Sequence, residues 1–376
     1  MSKDLPLSGL KILAIEQYGA GPFGTQHLAD LGAEVIKIEN PHEDGDVGRF
    51  VGPHFFGEKN SHFYQAFNRN KKSLCLDLKH PDGQATLRTL CQQVDAVFNN
   101  LRGDLPGKLG LTYADLKDTN TTLVCAHLSA YGRVGPRASW PGYDYLMQAE
   151  AGYLSLTGEP DGPPARFGLS MIDLMTGTTA ALALVSAVLG ARASGEGRDI
   201  DISLYDVAMH NLAYIATWYK NGGHTTERLP RSAHPSLVPS QLYQTQDGWL
   251  FIMCNKEKFW PILVRELGET PLSDQDRFGT FAKRLENKAQ LDALLESVLQ
   301  QHETSFWLSK FEGKVPVAPV YDVAQALDNP FFLERGGMVS AESSEGESYL
   351  GVASPIRCPG VDLPRQAAPA LGADTL

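Results

Sequence analysis

The chain has 376 residues, 43% of them hydrophobic and 20% charged, with a net charge of −11 at neutral pH. Such a length calls for two domains rather than one core, and the composition excludes a disordered chain. The negative balance argues against nucleic acid or an anionic membrane as a partner, since either would need a basic face.

The opening residues, Met1-Ser-Lys-Asp-Leu-Pro6, hold no apolar run of the kind a secretory leader needs. Lys11–Ile15 then reads as a strand, followed by a glycine-rich turn and a helix over Pro22–Leu31 with proline at its tolerated first position. Further strands are expected at Ala33–Glu39, Ser73–Asp77, Asp95–Phe98 and Thr122–Leu128, with an amphipathic helix over His80–Val94. This alternation predicts an α/β fold, a Rossmann-like parallel sheet covered by helices. Met171–Ala193 is apolar enough to span a membrane by length, but its Thr, Gly, Ala and Ser content predicts a buried core helix instead. After Asn221 the pattern changes. Gln241–Thr245 and Trp249–Met253 flank Asp247-Gly248 and predict a hairpin. Helices are expected over Lys256–Leu267, Ala289–Gln300 and Thr304–Phe311. The predicted organisation is a large domain over 1–220, completed by about 330–376, and a smaller α+β domain over 221–330. Five scattered cysteines, Cys75, Cys91, Cys125, Cys254 and Cys358, form no CxxC pair. Neither disulfides nor a metal site is expected, and a reducing, cytoplasmic compartment fits.

Gly19-Ala-Gly-Pro-Phe-Gly24 matches the GxGxxG spacing of dinucleotide sites, and Glu39 closes the next strand about twenty residues on. Pro22 weakens that assignment, because it removes an N–H from the helix turn that would face a pyrophosphate. Asn40-Pro-His-Glu-Asp-Gly-Asp46 would also crowd an adenosine ribose with carboxylates. The alternative is that the glycines simply permit a tight strand-to-helix turn.

A succession of short motifs runs through nearly the whole chain. Leu7–Leu13, Ala20-Gly-Pro22, Leu31–Glu39, Gly45-Asp46 with Arg49, and Asn68–Ser73 running into Leu76–Lys79 come first. Tyr131-Gly132, Gly135-Pro136, Pro141-Gly-Tyr-Asp144, Thr157–Pro164 and Asp173-Leu-Met-Thr-Gly177 follow. In this order they resemble the class III coenzyme A transferases (CaiB/BaiF). The resemblance implies transfer of CoA from an acyl-CoA to a carboxylic acid through an aspartate, Asp173, and an interlocked homodimer. It implies no resident cofactor, CoA thioester being a substrate. Asp173 fits the role on its own terms. It is the only carboxylate in a long apolar helix, and a buried carboxylate is costly unless paired or used. Near a helix N-terminus the dipole favours its ionised form, and an ionised carboxylate attacks a thioester without a general base. The competing explanation is that it caps its helix.

Carried over from the formyl-CoA transferase branch, the expected CoA contacts are Tyr18, Gly19, Ala20, Asn40, Leu76, Lys79, Asn100, Leu101, Lys108 and Leu109. Lys79 and Lys108 are the expected phosphate partners, with Arg102 and Arg69 as further cations. That branch has a glutamine where Gly19 stands, and Gln17 is expected on the other side of the turn. These departures argue against formyl-CoA and oxalate. Arg228, Arg231, His234 and Ser236 are candidates for the acyl carboxylate. The same resemblance extends to 2-methylacyl-CoA racemases, which carry a histidine where Tyr143 stands. A tyrosine is a poor substitute there, and His127 is expected to be a hydrogen-bonded core residue.

Overall fold

Six strands join one parallel sheet in the computed structural model, which describes residues 5–268, 271–343, 346 and 348–375. Met1–Asp4, part of the segment that argued against a leader, lie outside those residues. The strands are β1 (Lys11–Ile15), β2 (Glu34–Glu39), β3 (Lys72–Cys75), β4 (Ala96–Asn99), β5 (Val124–Ser129) and β6 (Arg198–Ser203). Their order across the sheet is β3-β2-β1-β4-β5-β6. Ile12 pairs with Val35 on one side and Ala96 on the other. Helices cover both faces, so the central strands are apolar in unbroken runs: Ile12, Leu13, Ala14, Val97, Val124, Cys125 and Ala126 have no exposure. Strand order reverses between β1 and β4. Their carboxyl ends therefore part to leave a crevice, the place where open α/β sheets receive ligands.

Helix α1 (Ala20–Asp30) follows β1, and α2 (Pro81–Cys91) links β3 to β4. The first helix starts two residues earlier than its proline suggested, so Pro22 sits inside the first turn rather than opening it. Helix α3 (Asp144–Glu150) is short, and α4 (Met171–Ser194) is the long apolar one. The burial expected of α4 holds for one face only. Ile172, Asp173, Thr176, Gly177, Ala180, Leu184 and Ala191 turn inward, whereas Leu182 and Leu189 are more than half exposed.

Two glycines set how closely α1 and α4 cross. A Cβ on Gly24 would lie 2.5 Å from the Gly177 carbonyl oxygen, and one on Gly177 would lie 2.4 Å from that of Ala20. Backbone thus packs on backbone. Asp173 is four residues before Gly177 and shares its face, so this crossing carries Asp173 to the turn after β1.

The chain divides into two compact units, and the second comprises 154–165 with 225–332. The segment 154–165, assigned from sequence to the large domain, packs with the smaller unit instead. Within this unit β7 (Ser240–Gln244), β8 (Trp249–Met253) and β9 (Val317–Pro319) form an antiparallel sheet. The hairpin turns at Asp247-Gly248 as expected. Helices over Phe259–Leu267, Lys288–Leu299 and Thr304–Phe311 bury Trp260, Leu263, Leu291, Leu295, Trp307 and Phe311 against it. The last segment, 333–376, groups with the first unit, where the Pro369 carbonyl accepts hydrogen bonds from Arg49.

Candidate active site

The crevice beyond β1 and β4 is shaped by a strained turn. Tyr18 has a φ of 67°, the left-handed region, which a bulky side chain enters only when its surroundings hold it there. Its N–H donates to Asp46 Oδ1 at 2.8 Å. One residue earlier, the Gln17 N–H donates to Asn100 Oδ1 at 2.9 Å, and Asn100 Nδ2 donates back to the Gln17 carbonyl at 2.7 Å. The residue after β4 therefore braces the loop after β1.

Beneath this turn lies a buried set of charges. Lys37 Nζ meets Asp46 Oδ2 at 2.8 Å, and Lys71 Nζ meets Glu16 Oε1 at 2.8 Å, all four side chains nearly or wholly buried. Arg49 pairs with Glu39 and also donates to the Tyr64 hydroxyl, at 2.6 Å in each case. Three anions thus face three cations in a place where any one alone would be costly. Burial pushes the Lys71 ammonium down to about 8, against the pull of Glu16. Burial acts likewise on Lys37, but Asp46, Glu16 and Glu39 together hold it above its ordinary value. Asp46, Arg49 and Lys71 hold the turn from below, whereas Arg69 is bound to Asp30 at 2.6 Å and the exposed Lys72 to Glu34 at 2.6 Å. Arg69 is therefore not a spare cation for a ligand.

Above the turn stands Asp173, 7% exposed. A Cβ on Gly19 would lie 2.9 Å from its Oδ2, so only glycine lets the turn approach the carboxylate this closely. The Asp173 N–H donates to Asp144 Oδ2 at 2.9 Å. Burial first, and the nearby Asp144 charge second, raise the Asp173 carboxyl from 3.8 to about 7. Desolvation and a like charge thus work against the helix dipole, which favours the ionised form.

The cleft is lined by Gln17, Tyr18, Gly19, Ala20, Asn100 and Leu101 on one side, with Ser129, Trp140, Tyr143 and Asp173 opposite. Gln17, expected across the turn, lines it too. Arg102 also lines the cleft, paired with Asp104 at 2.6 Å.

Five of the expected CoA contacts are not among the residues lining this cleft. Asn40 caps a turn by accepting the His42 N–H. Leu76 and Leu109 pack beside the core. Lys79 is exposed and 3.8 Å from Glu43, and Lys108 reaches Asp104 at 2.6 Å. In the second unit, Arg228 donates to the Pro163 carbonyl and Arg231 pairs with Glu296. His234 Nδ1 accepts the Ser236 N–H. That loop is thus tied to the 154–165 segment and to the helix Lys288–Leu299, with only the His234 bond inside it.

His127 is buried in β5 between Asn99 and Asp199, each 2.8 Å away. Asp144 was visible in Pro141-Gly-Tyr-Asp144, but no sequence signal linked it to Asp173, 29 residues on.

The family model for CoA-transferase family III matches residues 7–375. The chain is 34% identical over 357 residues to a succinate–glutarate CoA-transferase of Agrobacterium fabrum, covering 93% of this chain and 89% of that protein. It is 33% identical over 363 residues to an acetyl-CoA:oxalate CoA-transferase of Acetobacter aceti, covering 96% and 91%. A crystal structure of a CaiB/BaiF family protein from Brucella suis superposes with a TM-score of 0.86 at 33% identity, covering 99% of this chain and 98% of that one.

Proposed function

The chain belongs to CoA-transferase family III and is an enzyme of that class, and we propose that it moves CoA between dicarboxylic acids through covalent intermediates on Asp173. The observation that carries this is the buried Asp173 carboxyl at the crevice, raised to about 7. A carboxylate of raised basicity and poor solvation is a better nucleophile than a free one. An Asp173 oxygen attacks the thioester carbonyl of the donor, and the C–S bond breaks to release CoA thiolate. The thiolate then attacks the aspartyl carbonyl of the resulting anhydride, and the donor acid departs as its carboxylate. The acceptor carboxylate next attacks the aspartyl thioester, giving a new anhydride and free thiolate. Thiolate attack on the acceptor's carbonyl completes the transfer and frees Asp173. One thioester replaces another, so the chemistry asks for no metal, ATP or redox group.

One relative is named for succinate and glutarate and the other for acetyl-CoA and oxalate; a dicarboxylate stands in each name, which supports that class for at least one of the two acids here. Tyr18, Gly19, Ala20, Asn100 and Leu101 would meet the thioester end of CoA at the crevice, with Arg102 the cation beside it. Leu76, Lys79, Lys108, Leu109 and Asn40, which do not line the cleft, would serve the nucleotide end of CoA.

Racemase chemistry, the other possibility within the resemblance, requires a base on each face of the α-carbon. The cleft offers Asp173 with the phenols of Tyr18 and Tyr143, while His127 is held in β5. A dinucleotide is disfavoured by Asp173 itself, an acid standing against Gly19 where a pyrophosphate would lie. The homodimer belongs to the same proposal. Its support is apolar surface left uncovered: Leu182 and Leu189 on α4, and Tyr214 and Tyr219 on the helix Ala213–Gly222, each more than half exposed. Five unpaired cysteines support a cytoplasmic setting.

Intact-protein mass after brief incubation with succinyl-CoA, on wild type and Asp173→Ala, tests the reaction. A CoA-sized or succinyl-sized adduct on wild type alone is the expected result. No adduct with any donor, together with solvent deuterium entering the α-position of an acyl-CoA, would overturn it in favour of α-proton chemistry.

A further inference from the structure

Asp144 is 3% exposed and opens the short helix α3. One of its oxygens accepts the N–H of Asp173 at 2.9 Å and the other accepts Gln148 Nε2 at 2.5 Å. Gln148 in turn accepts the Phe167 N–H at 2.9 Å and donates to the Leu169 carbonyl at 3.2 Å. Ser170, which stands at the N-cap of α4, makes no side-chain capping bond. The first turn of α4 is therefore capped by a residue from another helix, and the chain entering it is tied down by that residue's neighbour.

A neutral side chain could cap this turn. Asn, Ser and Thr do so as well as Asp elsewhere, and none brings a second negative charge beside a buried nucleophile. A carboxylate here has a consequence that a neutral cap lacks. We propose that Asp144 is a positioning residue whose buried charge, set against the first turn of α4, drives Asp173 from free carboxylate toward its uncharged covalent adducts.

The inference rests on the aspartyl reaction proposed above. In that reaction the negative charge of Asp173 leaves with the CoA thiolate when the anhydride forms. It leaves with the donor carboxylate when the thioester forms. Asp173 is neutral in both adducts, so repulsion from Asp144 acts on the free carboxylate and vanishes in the intermediates. Burial acts in the same direction, and both raise the carboxyl in the free enzyme. The other groups around the pair do not supply that bias. Tyr18 is a phenol raised by burial first and by the Asp173 charge second. Burial raises the Asp144 carboxyl above its ordinary value, while the N–H groups of Asp173 and Ile172, the Gln148 amide and, last, Arg166 stacked on the Tyr145 ring favour its charged form.

The test compares wild type with Asp144→Asn in the full chain, with Asp144→Ser as a second neutral cap should the amide pack poorly. The readouts are the pH profile of kcat/KM and the amount of Asp173–CoA adduct after incubation with succinyl-CoA, measured by intact mass. Removing the charge stabilises the Asp173 carboxylate. The acid limb of the profile is expected to move about one pH unit lower, and the adduct fraction to fall about tenfold. A role limited to capping would change stability and leave both readouts in place. An unshifted limb with an unchanged adduct yield in a folded neutral variant would overturn the inference and leave the aspartyl reaction standing. Absence of any adduct on wild type would overturn both.

Discussion

Replacing Asp173 by Asn isolates what a raised carboxyl does to the fold. Native Asp173 keeps its proton until about pH 7, whereas an unperturbed aspartate loses it at 3.8. Between those values the native state binds more protons than the unfolded chain and loses stability as pH rises. At 1.36 kcal/mol per pH unit the loss reaches about 4 kcal/mol above pH 7, with little discount for solvent because the residue is 7% exposed. Asparagine has the shape of the protonated acid and cannot ionise. Asp173→Asn is therefore expected to match wild type near pH 4 and to exceed it by up to about 4 kcal/mol at pH 8, or roughly 8 °C in Tm for a domain of this size. Thermal unfolding of both proteins at the two pH values gives the difference directly. Any packing effect of the amide would be common to both pH values, so only the pH dependence counts. A Tm difference that does not change between pH 4 and pH 8 would refute the raised carboxyl and the reasoning built on it.

Gly19→Ala puts a Cβ 2.9 Å from Asp173 Oδ2; if it moves the proposed nucleophile by about 1 Å, kcat is expected to fall by about 10²-fold, with Tm little changed. Unaltered turnover would mean that the carboxylate reacts from another rotamer. Asp46→Ala strips Lys37 of its 2.8 Å partner and Tyr18 of its N–H acceptor; a loss of about 3–5 kcal/mol in urea unfolding is expected. For CoA recognition, Arg102→Ala is expected to raise KM for acyl-CoA more than Lys79→Ala, because Arg102 lines the cleft and Lys79 does not. The opposite ranking in initial-rate kinetics would place the nucleotide nearer Lys79.

Much of the first unit's framework could be read directly from local pattern. Short apolar runs located five of the six parallel strands to within two residues, and the Gly19–Gly24 segment marked the turn at the crevice, but β6 was missed because Arg198-Asp-Ile-Asp-Ile-Ser203 is half polar. Asp173 stood out because a lone carboxylate in an apolar helix has few innocent explanations. The charged motifs were harder to place. Asp46, Arg49 and Lys71 lie in segments that look solvated, yet each is buried against a partner. Lys79 and Lys108 had the chemistry for phosphate, but their pairing with Glu43 and Asp104 depends on loops whose course the pattern does not specify.

What the sequence alone determined is therefore most of the sheet and the turn, consequences of periodicity and residue type acting over a few residues, and, with the family resemblance, Asp173 as the candidate reactive carboxylate. The tertiary structure decided the protonation of that carboxylate. It does so by burying Asp173 where α4 crosses α1 through Gly24 and Gly177 and by setting Asp144 at its N–H. Desolvation and like-charge repulsion depend on distances between segments far apart in the chain, and only the folded packing fixes those distances.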